Sequence, residues 1–152
     1  MKSLLVACFV ISSFMTCLGQ TPPNGPEVTD PEWKAYDIET VVEGFNIPWG
    51  MAILSDGSML ITEKSGELIH FKNGQKTKIE GLPEISAKGQ GGLLDVVLHP
   101  DFKNNKLVYL AYASSRGTGK GSNTAIGRGK LQGNQLVNFE RLYKASPNSE
   151  AG

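Results

Sequence analysis

The chain has little cysteine and no bias of charge. Of its 152 residues, only Cys8 and Cys17 are cysteines, and both lie in an apolar N-terminal segment. If that segment is removed, neither a disulfide framework nor a cysteine metal site is possible in the rest of the chain. The 15 Lys and Arg residues balance 15 Asp and Glu residues. This balance gives no reason to expect nucleic acid or an acidic membrane surface as a partner.

Familiar catalytic motifs are also missing. The sequence contains no Gly-x-Ser-x-Gly, no phosphate-binding loop and no His-Glu-x-x-His. It has two histidines. His70 lies in an alternating run and is predicted to be a strand side chain. His99 precedes Pro100 at a strand end, where we expect its ring to hydrogen-bond the backbone of a turn.

Charged residues in strand-like runs are predicted to serve the fold. Glu63 ends a strand, where its carboxylate would bind backbone N–H groups or an arginine of another blade. Asp95 interrupts an apolar strand and, if buried, needs a hydrogen-bond partner. Three cationic residues lie on or beside a Gly/Ser-rich loop, namely Arg116, Lys120 and Arg128. They are predicted to belong to a solvent-exposed face.

The N-terminus has the pattern of an export signal. A short basic start is followed by an apolar run from Leu4 to Met15, which is too short for a transmembrane helix. Residues 1–19 are therefore predicted to be a secretory signal peptide, and the protein to be periplasmic or secreted. The alternative is a lipoprotein anchored to the membrane through Cys17. Residues 20–35 are rich in proline and are predicted to be a linker, which disfavours a buried apolar N-terminal helix.

From Tyr36 onward, short strand-like runs alternate with turn signals, and no long segment has a helical period. The predicted strands of the first half are DIETVV (37–42), WGMAIL (49–54), SMLIT (58–62), ELIHFK (67–72) and 76–79. The dipeptide Asn73-Gly74 predicts a hairpin. The second half, from Gly92, repeats this pattern with predicted strands at 92–98, 107–112, 124–131 and 135–143.

A repeat of about 40–50 residues with four strands per unit is typical of a β-propeller blade. The fold class is therefore predicted to be all-β, with about two blades in this chain. Since propellers close with about four to eight blades, we expect residues 36–152 to be the N-terminal part of a longer propeller. The rival prediction is a small complete sandwich of eight or nine strands.

Gln90 is the candidate binding residue. It lies in GQGGLLDVVLHPDF (89–102), with glycines on both sides that permit unusual backbone angles and close approach. In a propeller, the innermost strand of a blade starts near the central axis, where ligands bind. An amide both donates and accepts hydrogen bonds, which suits sugar hydroxyls. The residues alone leave open whether Gln90 contacts a ligand or packs in the loop.

The chain resembles the glucose/sorbosone dehydrogenase family, which are soluble sugar dehydrogenases dependent on pyrroloquinoline quinone (PQQ). The resemblance covers roughly Tyr36 to the end. It rests on NIPWGMA (46–52), Asp56-Gly57, Thr62-Glu63, Gly66-Glu67-Leu68, Asn104-Asn105, Val108-Tyr109-Leu110 and above all the block 89–102. The chain departs from the family pattern at Lys64, where arginine is frequent.

The resemblance implies a six-bladed propeller that oxidises aldose sugars to lactones with PQQ and calcium. A histidine base would take the proton of the anomeric hydroxyl, hydride would pass to the quinone, and an external acceptor would take the electrons. By this resemblance, Gln90 occupies the position of the glutamine that contacts the substrate in the family. The base is expected just beyond Gly152, and the PQQ and calcium ligands in later blades, so we expect this chain alone to be inactive.

Two alternatives to an enzyme remain. One is an extracellular propeller that binds carbohydrate or protein without redox activity. The other is a free-standing structural β domain. A histidine encoded shortly after Gly152, followed by cationic quinone-binding positions, would favour the enzyme.

Overall fold

A computed structural model describes residues 37–150 of the chain. The predicted signal peptide, the possible anchor at Cys17 and the proline-rich linker lie outside the described residues. Between residues 37 and 150, no helix is long and apolar enough to cross a membrane.

The first blade is a four-stranded antiparallel sheet in which the strands pair in chain order. Its strands are β1 (Pro48–Ile53), β2 (Met59–Glu63), β3 (Leu68–Lys72) and β4 (Gln75–Ile79). Asn73 and Gly74 have φ of 50° and 75° in the hairpin between β3 and β4. Positive φ at both central residues matches the twist of the flanking strands, so the predicted hairpin is confirmed.

The second blade repeats this order. Its elements are β5 (Leu93–Leu98), α1 (Phe102–Asn105), β6 (Leu107–Ser114), β7 (Asn123–Gln132) and β8 (Gln135–Lys144), with the four strands paired consecutively. Helix α1 is a single turn within the connection after His99. Both predicted four-stranded units are therefore confirmed.

One predicted strand is wrong. Residues 37–42 form no regular secondary structure, and Ile38 and Val41 are 100% and 61% exposed. Alternating β-branched residues favour a strand only where a neighbouring strand supplies backbone partners and side-chain contacts. No described strand pairs with this segment.

The two sheets meet mainly through β1 and β2 of the first blade and β5 of the second. The Thr62 hydroxyl donates to the carbonyl of Leu94 across this junction, at 3.3 Å. One hydrophobic cluster spans both sheets and consists of Leu60, Leu68, Ile79, Leu93, Val96, Val108, Leu110, Tyr112, Ala125, Leu131 and Leu136. Neighbouring first strands with consecutive meanders are the arrangement of adjacent propeller blades. The rival prediction of a sandwich is therefore wrong.

Candidate functional site

An open cavity of about 750 Å³ lies where β5 begins and β6 ends. One wall is the loop before β5, and another is the connection between β6 and β7. Its lining consists of residues 84–91, Leu94, Ala113, Ser115, residues 121–124, Ser149 and Glu150. The cavity therefore lies at the entry to the innermost strand of the second blade, where a propeller ligand was expected.

The loop before β5 is held against the end of β6 by backbone hydrogen bonds. The amide of Ser86 donates to the carbonyl of Ala113 at 2.9 Å, and the amide of Ala113 donates to the carbonyl of Gly92 at 2.9 Å. Within the loop, the Gly91 amide donates to the carbonyl of Lys88 at 2.8 Å. These bonds fix the backbone on both sides of Gln90.

Close packing of this loop requires glycine. A Cβ on Gly91 would lie 2.5 Å from the carbonyl oxygen of Ser86 and 2.9 Å from that of Lys88. Gly92 has φ +155°, and a Cβ there would collide with the carbonyl oxygen of Lys64. Since real Cβ atoms do not approach backbone this closely, a side chain at either position would push the loop away from its neighbours.

Gln90 is exposed and belongs to the cavity lining. The same cavity is lined by the hydroxyl residues Ser115, Ser122 and Thr124 and by Asn123. Amides and hydroxyls both donate and accept hydrogen bonds, so this lining suits a ligand that carries several hydroxyl groups.

The end of the described chain completes the cavity wall. The amide of Ser122 donates to the carbonyl of Ser149 at 3.1 Å, and the Ser149 amide donates back to Ser122 at 3.2 Å. Asn148 is 7% exposed, and its side-chain amide donates to the carbonyl of Ser115 at 2.9 Å. The sequence of residues 114–123 indicates a connection rich in Gly and Ser, and this composition alone does not predict the wall.

Comparisons with known proteins identify the family to which this two-bladed fold belongs. A family model described as Glucose / Sorbosone dehydrogenase matches residues 45–152. The chain belongs to the glucose/sorbosone dehydrogenase family. Aldose sugar dehydrogenase YliI of Escherichia coli (strain K12) is 36% identical over 128 residues, which cover 79% of this chain and 34% of that protein. Quinoprotein glucose dehydrogenase B of Acinetobacter calcoaceticus is 31% identical over 119 residues, covering 72% of this chain and 25% of that protein.

Solved structures from the same family superpose on the two blades. A structure described as glucose dehydrogenase matches with a TM-score of 0.67 and 35% identity, and covers 72% of this chain and 33% of that one. The PQQ-bound aldose sugar dehydrogenase of Streptomyces coelicolor matches with a TM-score of 0.60 and 30% identity, covering 72% and 34% of the two chains. The chain thus spans about a third of the length of these two structures.

In this member of the family, neither histidine lines the cavity. The His70 ring lies 3.0 Å from the Ser58 hydroxyl, between strands of the first blade. His99 Nδ1 accepts from the backbone amide of Asp101 at 3.0 Å, and the side-chain amide of Asn105 lies 2.7 Å from the same nitrogen. The predicted turn role of His99 is confirmed.

The charged residues also keep structural roles. Glu63 binds backbone amides, as predicted. Asp95 is exposed rather than buried, and its carboxylate accepts from the neighbouring Val96 amide at 2.8 Å. Arg128 pairs with Glu140 at 3.1 Å on the surface of β7 and β8. Of the predicted candidates, Gln90 alone lies in the cavity lining.

Proposed function

We propose that this chain supplies part of the sugar-binding wall of a PQQ-dependent dehydrogenase that oxidises aldoses to lactones. The observation that carries the proposal is the position of Gln90 in a polar cavity at the entry to β5, in a chain of this family. The names of the relatives, which are aldose sugar and glucose dehydrogenases, support the substrate class.

The proposed role of Gln90 is to orient the sugar. Its amide accepts from one sugar hydroxyl and donates to another, while nearby hydroxyl side chains complete the hydrogen-bonding shell. The backbone bonds on both sides of Gln90 fix the backbone position from which its side chain extends. Orientation of this kind raises the fraction of bound sugar in a reactive position.

PQQ would supply the hydride acceptor, but the residues of this cavity do not fit it. PQQ is a polycarboxylate and needs several cationic partners. The lining has a single cationic side chain, Lys88, beside the carboxylates Glu84 and Glu150. Among residues 37–150, no three His, Cys, Asp or Glu side chains come together as a metal site would require. We therefore assign the PQQ and calcium ligands, and the histidine base, to a region beyond Gly152.

The proposal includes further blades and export. Trp49, Met51 and Ile53 are 48%, 54% and 63% exposed on β1, and a neighbouring blade would cover them. Residues 1–19 would direct the protein out of the cytoplasm, with a lipid anchor at Cys17 as the alternative to a free protein. An external carrier would accept the electrons.

Steady-state kinetics of the full-length protein test the proposal. Gln90→Ala should raise KM for an aldose by roughly ten-fold, the effect of losing one or two hydrogen bonds. Gln132→Ala, at the exposed end of β7, is the matched control and should leave KM unchanged. Equal KM values for both variants would contradict the role of Gln90. Sugar oxidation by the 152-residue chain with PQQ and calcium would contradict the assignment of the base elsewhere.

A further inference from the structure

A second cavity, of about 390 Å³, lies beside the first and shares Glu84 with it. Its apolar walls are Pro83 and Phe139, and its polar lining includes Tyr112 and two arginines. None of these residues takes part in the function proposed above. The pocket combines cations, hydroxyl groups and an aromatic wall in one small volume.

The hydroxyl of Tyr112 is the most informative group in this pocket. Tyr112 is 2% exposed, and its ring lies edge-on to Phe139 with centroids 6.0 Å apart. Its hydroxyl makes no side-chain hydrogen bond with the residues that the structure describes. Among residues 37–150, however, every side-chain nitrogen or oxygen that is fully enclosed has a hydrogen-bond partner. The hydroxyl therefore reaches the pocket and is available to a ligand there.

Arg116 and Arg141 line the same pocket as Tyr112. Burial raises the pKa of Tyr112, and the positive charges of Arg141 and Arg116 act against that rise. The phenol thus stays a neutral donor at physiological pH with both cations near it. Arg116 Nε lies 3.6 Å from a carboxylate oxygen of Glu84, and both side chains are more than half exposed. One glutamate against two arginines leaves the lining with one net positive charge.

Ser114 adds a further donor on the same face of β6 as Tyr112. It is 2% exposed, and its oxygen accepts from the backbone amide of Arg116 at 3.3 Å. Since that bond uses a lone pair, the hydroxyl hydrogen remains for a ligand. The arginines have no acceptor atoms, and the two hydroxyls offer hydrogens. Most of the polar lining therefore donates.

We propose that this pocket binds a carboxylate or phosphate group carried by a small organic molecule. Arg141 and the free end of Arg116 would hold the oxyanion by charge-assisted hydrogen bonds, and Tyr112 and Ser114 would complete its shell. Phe139 would contact the body of the ligand. A solvated arginine pair explains the charges but does not explain a buried tyrosine whose hydroxyl has no hydrogen-bond partner among residues 37–150.

Titration calorimetry of the full-length protein at low salt tests this proposal with two probes, inorganic phosphate and glucuronate. Tyr112→Phe keeps the ring and should weaken binding roughly five- to ten-fold, and Arg141→Gln by roughly ten-fold or more. Arg128→Gln removes an arginine outside the pocket and should change affinity less than about two-fold. Binding of phosphate alone indicates a phosphate site, and binding of glucuronate alone indicates a carboxylate site. Binding of both probes indicates a general oxyanion site.

The proposal fails if neither probe binds wild type more tightly than Arg141→Gln, or if Arg128→Gln weakens binding as much as Arg141→Gln. Thermal unfolding gives a second check. Tyr112→Phe should not lower the unfolding temperature, because the hydroxyl has no hydrogen-bond partner to lose within the described part of the chain. A large drop would mean that the hydroxyl is bonded within the fold and would overturn the assignment. None of these measurements depends on sugar oxidation. Glucuronate is itself an aldose, so only the part of its binding that Arg141→Gln weakens is assigned to this pocket rather than to the cavity at Gln90.

Discussion

The carboxylate of Glu63 accepts a hydrogen bond from the backbone amide of Asn46 at 2.6 Å, and its other oxygen accepts from the amide of Ile47 at 3.0 Å. The Lys64 amide returns a bond to the carbonyl of Ile47 at 3.0 Å. Glu63 is 6% exposed at the end of β2. The buried Glu63 carboxylate thus fastens the segment before β1 to the end of β2.

Glu63→Gln should therefore destabilise the protein. The amide retains one acceptor oxygen and places an NH₂ group against a backbone N–H, so a buried bond is replaced by a donor–donor contact. The expected loss in free energy of unfolding is about 1–3 kcal/mol, measured by chemical denaturation. Glu67→Gln is the control, since Glu67 forms an exposed pair with Lys78 at 3.1 Å and should cost less than about 1 kcal/mol. Equal losses would contradict the role of Glu63.

The glycine before β5 offers a test of the cavity wall. Gly91→Ala should displace the loop, because the new Cβ would meet the carbonyl oxygens of Ser86 and Lys88. We expect a loss of stability together with a raised KM for sugar in the full-length protein. Gly57→Ala is the comparison: Gly57 has φ +80° but open space around it. It should cost only backbone strain, about 1–2 kcal/mol, and leave KM unchanged.

The core that joins the blades gives a third prediction. Leu60 is fully buried in the cluster that spans both sheets. Leu60→Ala should lower the free energy of unfolding by about 2–5 kcal/mol, since it removes buried methyl groups and leaves a cavity. Ile53→Ala, at a site 63% exposed on β1, should cost less than about 1 kcal/mol. Urea denaturation of both variants would show whether the cluster holds the blades together.

The strands were predictable from the sequence because their signals are local. Alternation and turn dipeptides such as Asn73-Gly74 act within about ten residues, and eight predicted strands match the eight that form. The wrong prediction of a strand at 37–42 also rests on a local signal. Its alternating pattern is real, but a strand also needs a partner, and pairing depends on chain distant in sequence.

The cavity was predictable only at Gln90. The flanking glycines are a local signal of close backbone approach. The other wall depends on the antiparallel bridge between Ser122 and Ser149, which are far apart in the sequence and unremarkable in type. Likewise, nothing local marks Tyr112 as a residue that lines a pocket with two arginines, because Arg116 follows β6 and Arg141 lies on β8.

The pair of Asp56 and Lys72 gives a prediction on acid behaviour. The Lys72 ammonium lies 2.8 Å from one carboxylate oxygen of Asp56, and the Ser58 hydroxyl and amide donate to the other. These bonds, with Lys72 contributing most, hold the pKa of Asp56 well below its ordinary value. Because the folded pKa is depressed, the stabilisation is present above the unfolded pKa of about 3.9 and is lost as pH falls below it.

Removing the lysine should therefore raise the pKa of Asp56 more than removing the serine hydroxyl. NMR titration of the Asp56 carboxyl carbon in Lys72→Met and Ser58→Ala measures this directly. Ser58→Ala keeps the backbone amide bond and should give the smaller rise. High salt should raise the pKa of Asp56 in the wild-type protein, as Lys72→Met does, because the pair is half exposed and salt screens its charge attraction. A pKa that stays low in Lys72→Met would show that the Ser58 bonds, rather than the lysine, control this carboxylate.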